Sequence, residues 1–172
     1  MELNTYQAFR PHMKSADLLE WRSKSFIGSC IRAKTGKDVN HSCLVLKLGF
    51  DGVCDRRFTL EALGGKFELC LLSRRLNDFK GMVYWHPLKE EYRNSADAVM
   101  SWALLQVGTR YDYPSLFASL FGHVSNDGKL LFCSESCFFA YEHAGLIKNC
   151  GITPWPGGFK KYGLHEDRVR VL

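Results

Sequence analysis

The sequence contains no run of about 18 apolar residues, so it offers no candidate membrane-spanning helix. It also lacks a stripe of one charge. Its 23 Lys and Arg against 18 Asp and Glu give a net charge of +5, but the basic residues are scattered, with pairs such as Arg56-Arg57, Arg74-Arg75 and Lys160-Lys161. A nucleic-acid interface wants a basic face, and none is expected here. The seven cysteines are odd in number and show no tight paired spacing, which argues against a disulfide framework and for a reducing compartment. Residues Met1 to Arg10 lack the basic start and apolar centre of a leader peptide, and the expectation is a soluble, cytoplasmic protein. Internal repeats, low-complexity tracts and linkers are absent as well. What the chain does have is 46% hydrophobic residues in a length of 172. That suffices for a single domain over 1–172, burying about 70% of the surface its unfolded chain would expose.

The strand signals come early. Asp17 to Arg22 reads as a short strand, and Ser25 to Ala33 as a helical turn or two. Thr35-Gly36-Lys37-Asp38 is turn chemistry, delivering the chain to a strand over His41 to Leu48. Asp51-Gly52 marks a hairpin, the return strand covers Arg57 to Leu63, and a turn at Gly64-Gly65 sends Lys66 to Leu72 out again, which makes an antiparallel meander. Met82 to His86 is a further strand, stopped by Pro87. From Asn94 or Ser95 the apolar residues Ala96, Val99, Trp102, Ala103, Leu104 and Val107 fall at helical period, with Gly108 at the stop. The tail carries a last short strand near Val169 to Leu172. The fold class expected is α+β.

The stretch Phe132-Cys133-Ser134-Glu135-Ser136-Cys137 carries the chemistry. Ser134 is a good N-cap, Glu135 and Ser136 suit a positive first turn, and Gly145 falls where a left-handed C-terminal cap is wanted. Cys133 is then expected just before a helix, where the dipole lowers a thiol's pKa below about 8.5 and makes a nucleophile. Glu135 works against this, because a nearby carboxylate disfavours a thiolate. A cysteine nucleophile needs a base, and the base needs an orienting partner. His41 opens the first long strand and Glu61 lies on the next one. If facing residue numbers sum to about 102, the two are directly opposite and share a face. A one-residue slip separates them, and a strict two-residue Asp-Gly loop gives an odd sum, so the pair requires a bulge or a longer loop. The bland readings are a surface histidine, a solvent-facing glutamate and a buried thiol. His86 and His143 read as structural, and Cys133, Cys137 and His143 lack the usual zinc spacing, so no metal is expected.

The ordered set Asp17-Leu18-Leu19, Thr35-Gly36 before His41, Leu60-Glu61-Ala62 before a glycine turn, Gly108-Thr109-Arg110-Tyr111-Asp112, and Phe132-Cys133-Ser134-Glu135 with a helix ending Ala144-Gly145 resembles the circularly permuted papain-like cysteine hydrolases. The likeness is to the YiiX/YaeF-like branch of the NlpC superfamily and spans about residues 17–156. It implies a permuted papain-like fold, in which an antiparallel sheet packs on the nucleophile helix and the Ser95 to Val107 helix. It also implies a Cys133, His41 and Glu61 triad, with Tyr111 at the wall of the site. The Tyr111 hydroxyl and a backbone N–H near Cys133 and Ser134 would face a tetrahedral oxyanion. Tyr111 equally reads as a core aromatic. No cofactor is required, and the expected partner is a small-molecule, peptide or lipid-derived acyl substrate. Two rival classes remain, a non-catalytic binding module that kept this fold and a redox or metal protein using several of the thiols.

Overall fold

A computed structural model describes residues 3–50, 54–63, 65–110, 133–148 and 154–172. The meander expected from the alternating strands forms, and it extends on both sides. Strands β1 (Leu18–Ser23), β2 (His41–Phe50), β3 (Cys54–Leu63), β4 (Lys66–Leu71), β5 (Gly81–His86) and β6 (Val169–Arg170) build one antiparallel sheet in the order β4-β3-β2-β1-β5-β6. Consecutive strands thus sit side by side from β1 to β4, and β5 returns to the free edge of β1.

Both faces of the central strands are buried, because β2 alternates two apolar sets. Leu44 and Leu46 point into one cluster together with Leu60 and Ala62 of β3, while Cys43 and Val45 point into the other with Leu19 and Trp21 of β1. Such near-continuous apolar runs are what a sheet covered on both sides demands. Helices α4 (Ala96–Leu105) and α5 (Cys133–His143) cover the first face through Val99, Met100, Ala103, Phe138 and Tyr141. Helices α1 (Leu3–Phe9) and α3 (Leu72–Asp78) cover the second through Tyr6, Leu72 and Leu76. No helix among the described residues is long and apolar enough to cross a membrane.

Helix α2 (Phe26–Thr35) is longer than the turn or two expected. Ser25 Oγ accepts from the Gly28 N–H at 3.1 Å as its N-cap, and Gly36 at φ +64° closes it. Gly145 likewise takes the left-handed conformation at φ +73°. Its N–H donates to Glu142 O, and the Leu146 N–H to Tyr141 O, which ends α5 where the sequence placed the stop. The start of α5 differs from expectation: Cys133, the first residue described there, is already helical, so Ser134 lies inside the helix rather than at the cap. Helix α4 is preceded by a 3-10 segment, Glu90–Ser95, and ends at Leu105, with the turn at Gly108 just beyond. Helices α1 and α3 were not anticipated. In α3 the switch from strand to helix occurs at Leu72, and the i, i+4 pair Leu72 and Leu76 is its only apolar signature. Tyr111, and the expected elements from residue 111 to 132, lie outside the described residues.

Candidate active site

The register of the β2–β3 hairpin decides whether the two sequence-predicted partners meet. Leu44 pairs with Leu60 and Phe50 with Cys54, so facing numbers sum to 104, not 102. The shift is of two residues and keeps parity. Continuing that register sets Glu61 opposite Cys43, diagonal to His41 on the same face, and diagonal neighbours remain within reach of long side chains. The reach is achieved: His41 Nε2 lies 2.8 Å from Glu61 Oε2.

Glu61 is not on a solvent face. Its side chain is fully buried and accepts four hydrogen bonds, two on each oxygen. Thr59 Oγ1 donates to Oε1 at 2.6 Å, Arg75 Nε to Oε1 at 2.8 Å and Arg75 Nη2 to Oε2 at 3.1 Å, with His41 as the fourth donor. Burial alone would raise the carboxyl pKa, but the bonds and charges of His41 and Arg75 outweigh it and hold Glu61 down to about 2. Glu61 therefore carries its charge throughout the neutral range. Arg75 was missed by sequence reading. It sits on α3, its guanidinium lies 5.0 Å over the Trp21 ring, and Arg74-Arg75 had looked like scattered surface charge.

Cys133 comes to this group from the other side of the sheet. His41, Cys43 and Glu61 share the α3 face, whereas α5 packs on the opposite one. The two meet because His41 is the first residue of β2, at the end of the strand. Cys133 is hydrogen-bonded to His41 and also receives the backbone N–H groups of Ser42 and Ser134. Since Nε2 is committed to Glu61, Nδ1 is the ring nitrogen left for the sulfur. Burial pushes the Cys133 thiol up, but the His41 charge and the hydrogen bonds overcome it and its pKa falls below the ordinary value. For His41 burial again opposes the charge, and the Cys133 and Glu61 partners overcome it to push the imidazole up to about 10. Cys43, Cys70 and Cys137 behave oppositely, with burial driving each thiol upward. A charged imidazolium between two anions is the state this geometry favours.

Beside the sulfur lies a half-open cleft of about 250 Å³, whose lining includes His41, Cys133 and Ser134. Its apolar walls come from β1, α2, the loop after α3 and the tail, through Trp21, Ile27, Ile31, Phe79, Trp155 and Pro156. Of the five residues singled out from sequence, Cys133, His41, Glu61 and Ser134 are thus gathered around one cleft or the cluster behind it.

No protein-family model matches the chain, and no curated protein does. Among solved structures, it is similar to the crystal structure of the metalloprotein YiiX from Escherichia coli O157:H7, with a TM-score of 0.60 and 17% sequence identity over 81% of this chain and 68% of that one. That neighbour's description raises a metal, and here His41, Cys43 and Glu61 do bring one donor atom each to within 4.8 Å of one another. The donor set does not fit one. Zinc ligands at 2.0–2.3 Å would sit about 3.3–3.8 Å apart and must be deprotonated. Cys43 is instead a thiol whose sulfur accepts from Trp21 Nε1 at 3.1 Å and whose pKa is driven up by burial. Both Glu61 oxygens already hold the Arg75 guanidinium, a cation beside which a second cation is repelled. The likeness is one of architecture, and on it this chain has a YiiX-like α+β fold with a six-stranded antiparallel sheet.

Proposed function

We propose that the chain is a cysteine hydrolase of the permuted papain-like kind, working through Cys133, His41 and Glu61 and an acyl-enzyme. The observation that carries this reading is the continuous line Cys133–His41–Glu61, in which one ring nitrogen serves the sulfur and the other a buried, permanently charged carboxylate. A binding module has no use for a thiol held ionised against burial at the end of that line.

The chemistry follows from the protonation states. The Cys133 thiolate attacks a carbonyl carbon, a C–S bond forms, and the carbonyl electron pair moves onto oxygen. As the tetrahedral species collapses, the bond to the leaving group breaks and that group takes the proton from His41 Nδ1. His41 then removes a proton from water, or from another acceptor, which attacks the thioester and releases Cys133. Glu61 keeps its charge throughout and fixes the ring so that Nδ1 faces the sulfur. The backbone N–H groups of Ser42 and Ser134, which already converge on the sulfur, are placed to meet charge developing beside it. Tyr111 is the further group the family resemblance would add.

The reading is tested by intact-protein mass spectrometry after brief exposure to p-nitrophenyl octanoate and acid quench. One octanoyl adduct is expected, mapped to Cys133 and missing from Cys133→Ala. No adduct, or adducts spread evenly over the other thiols, would remove the acyl-enzyme.

A further inference from the structure

The cleft has a polar feature that the reaction just described does not use. Asn40, one residue before His41, is 8% exposed and lines the cleft. Its Oδ1 accepts twice, from the Ser23 N–H at 2.8 Å and from Arg32 Nη1 at 3.0 Å. Arg32 is itself fixed by bonds to Ser23 O at 2.6 Å and Ser29 Oγ at 2.9 Å. Two donors on one end determine how the amide is turned, because a flipped amide would set its NH2 against an N–H and a guanidinium. The Nδ2 group is therefore committed to the other direction. It has no partner among the described residues, and Asn40 is part of the cleft lining.

Helix α2 is shaped around this group. A side chain at Gly28 would put its Cβ 2.3 Å from Ser23 Oγ and 3.0 Å from Asn40 Nδ2. Only glycine lets the helix pass this closely while the amide keeps its place. An amide whose other end is pinned, set at the edge of an apolar cleft, is a ready donor for an acceptor on a bound molecule.

The rest of the lining says what carries that acceptor. Trp21, Ile27, Ile31, Phe79 and Trp155 are apolar, and the cationic lining residues among those described, Arg75 and His41, have their charges balanced by Glu61 and, for His41, also by Cys133. A cavity of about 150 Å³ holds one benzene ring, so a volume near 250 Å³ corresponds to about ten carbon-sized atoms. We infer that the cleft binds an uncharged apolar acyl group of medium length, with the Asn40 amide donating a hydrogen bond to a carbonyl oxygen of the bound molecule. The inference rests on the proposed acyl chemistry for the word acyl, and on the cleft alone for the rest.

Binding can be read without turnover, because Trp21 and Trp155 both line the cleft and report by fluorescence. In a Cys133→Ala background, octanamide is expected to quench with saturation and acetamide to bind at least tenfold more weakly. Adding Asn40→Ala should weaken octanamide about three- to tenfold, the value of one neutral hydrogen bond. For octanethioamide, whose sulfur accepts poorly, the same substitution should cost less than twofold. A merely structural role for Asn40 would weaken both ligands equally, and that result would overturn the assignment. Equal binding of acetamide and octanamide, or none of either, would overturn the apolar acyl class. Saturable octanamide binding in a protein that forms no adduct at Cys133 would instead leave this inference standing and remove the hydrolase.

Discussion

His41→Ala is expected to lower kcat/KM for ester hydrolysis by about a thousandfold at pH 7, within the range that a positioned acid–base group contributes. Its imidazolium is the principal force holding Cys133 ionised against burial. Without it, desolvation prevails and the thiol pKa rises to or beyond the ordinary value of about 8.5. The residual activity should then climb steadily with pH across the alkaline range. The wild type should differ in shape as well as height. Its activity should be established below pH 8 and fall only as His41 loses its proton toward about pH 10. Steady-state rates between pH 5 and 10.5 check both statements. A parallel profile for the two proteins would mean that His41 does not govern the thiol.

Glu61→Ala is expected to be the most damaging single change to stability, at about 3–5 kcal/mol, because removing one member of a buried charge cluster strands the others. Thr59 Oγ1, His41 Nε2 and the Arg75 guanidinium all lose their acceptor. Glu61→Gln keeps the volume and one acceptor oxygen and so serves as the milder variant, although its NH2 faces the donors on the other side. The pH dependence gives a second reading. Glu61 is held at about 2 against an ordinary 4.5, so its contribution is complete above about pH 5 and is lost as pH falls toward 2. The difference is worth about 3 kcal/mol. His41 has the opposite sign. Raised to about 10 from 6.5, it contributes fully below about pH 6 and loses that contribution as pH rises through 10. Urea unfolding should show its maximum near pH 5 to 6 in the wild type, with an acid limb below it from Glu61 and a decline from about pH 6.5 to 10 from His41, and Glu61→Gln should flatten the acid limb. An unchanged acid limb would mean that Glu61 is not the buried anion of this cluster.

Much of the site was legible because its parts are local. A cysteine opening a helix that ends at Gly145, a histidine at the first position of an apolar strand and a glutamate inside the next strand each announce themselves within a few residues. The pairing between His41 and Glu61 was harder, since register depends on the turn, and the loop proved to give an even sum of 104 instead of 102. Parity saved the shared face. Arg75 was not legible at all: nothing in Ser73-Arg74-Arg75 indicates that one guanidinium folds back onto a carboxylate 14 positions earlier. Helix α3, which delivers it, has a strand-like apolar run directly before it and only the Leu72 and Leu76 pair to mark it. Asn40 escaped for a related reason, because the orientation of an amide is set by Ser23 and Arg32, which reach it only in the folded chain. Helix α5 shows the limit of capping rules, where a serine that suits the cap sits inside the helix.

The central claim is that His41 ionises Cys133, and the rate of iodoacetamide labelling at Cys133 against pH tests it most directly, read by peptide mass spectrometry in wild type and His41→Ala. The account predicts labelling with a midpoint below that of an ordinary thiol, faster than at Cys43, Cys70 or Cys137, and an advantage that is lost on substitution of His41. Labelling of Cys133 no faster than those thiols, with the same pH midpoint in both proteins, would contradict it.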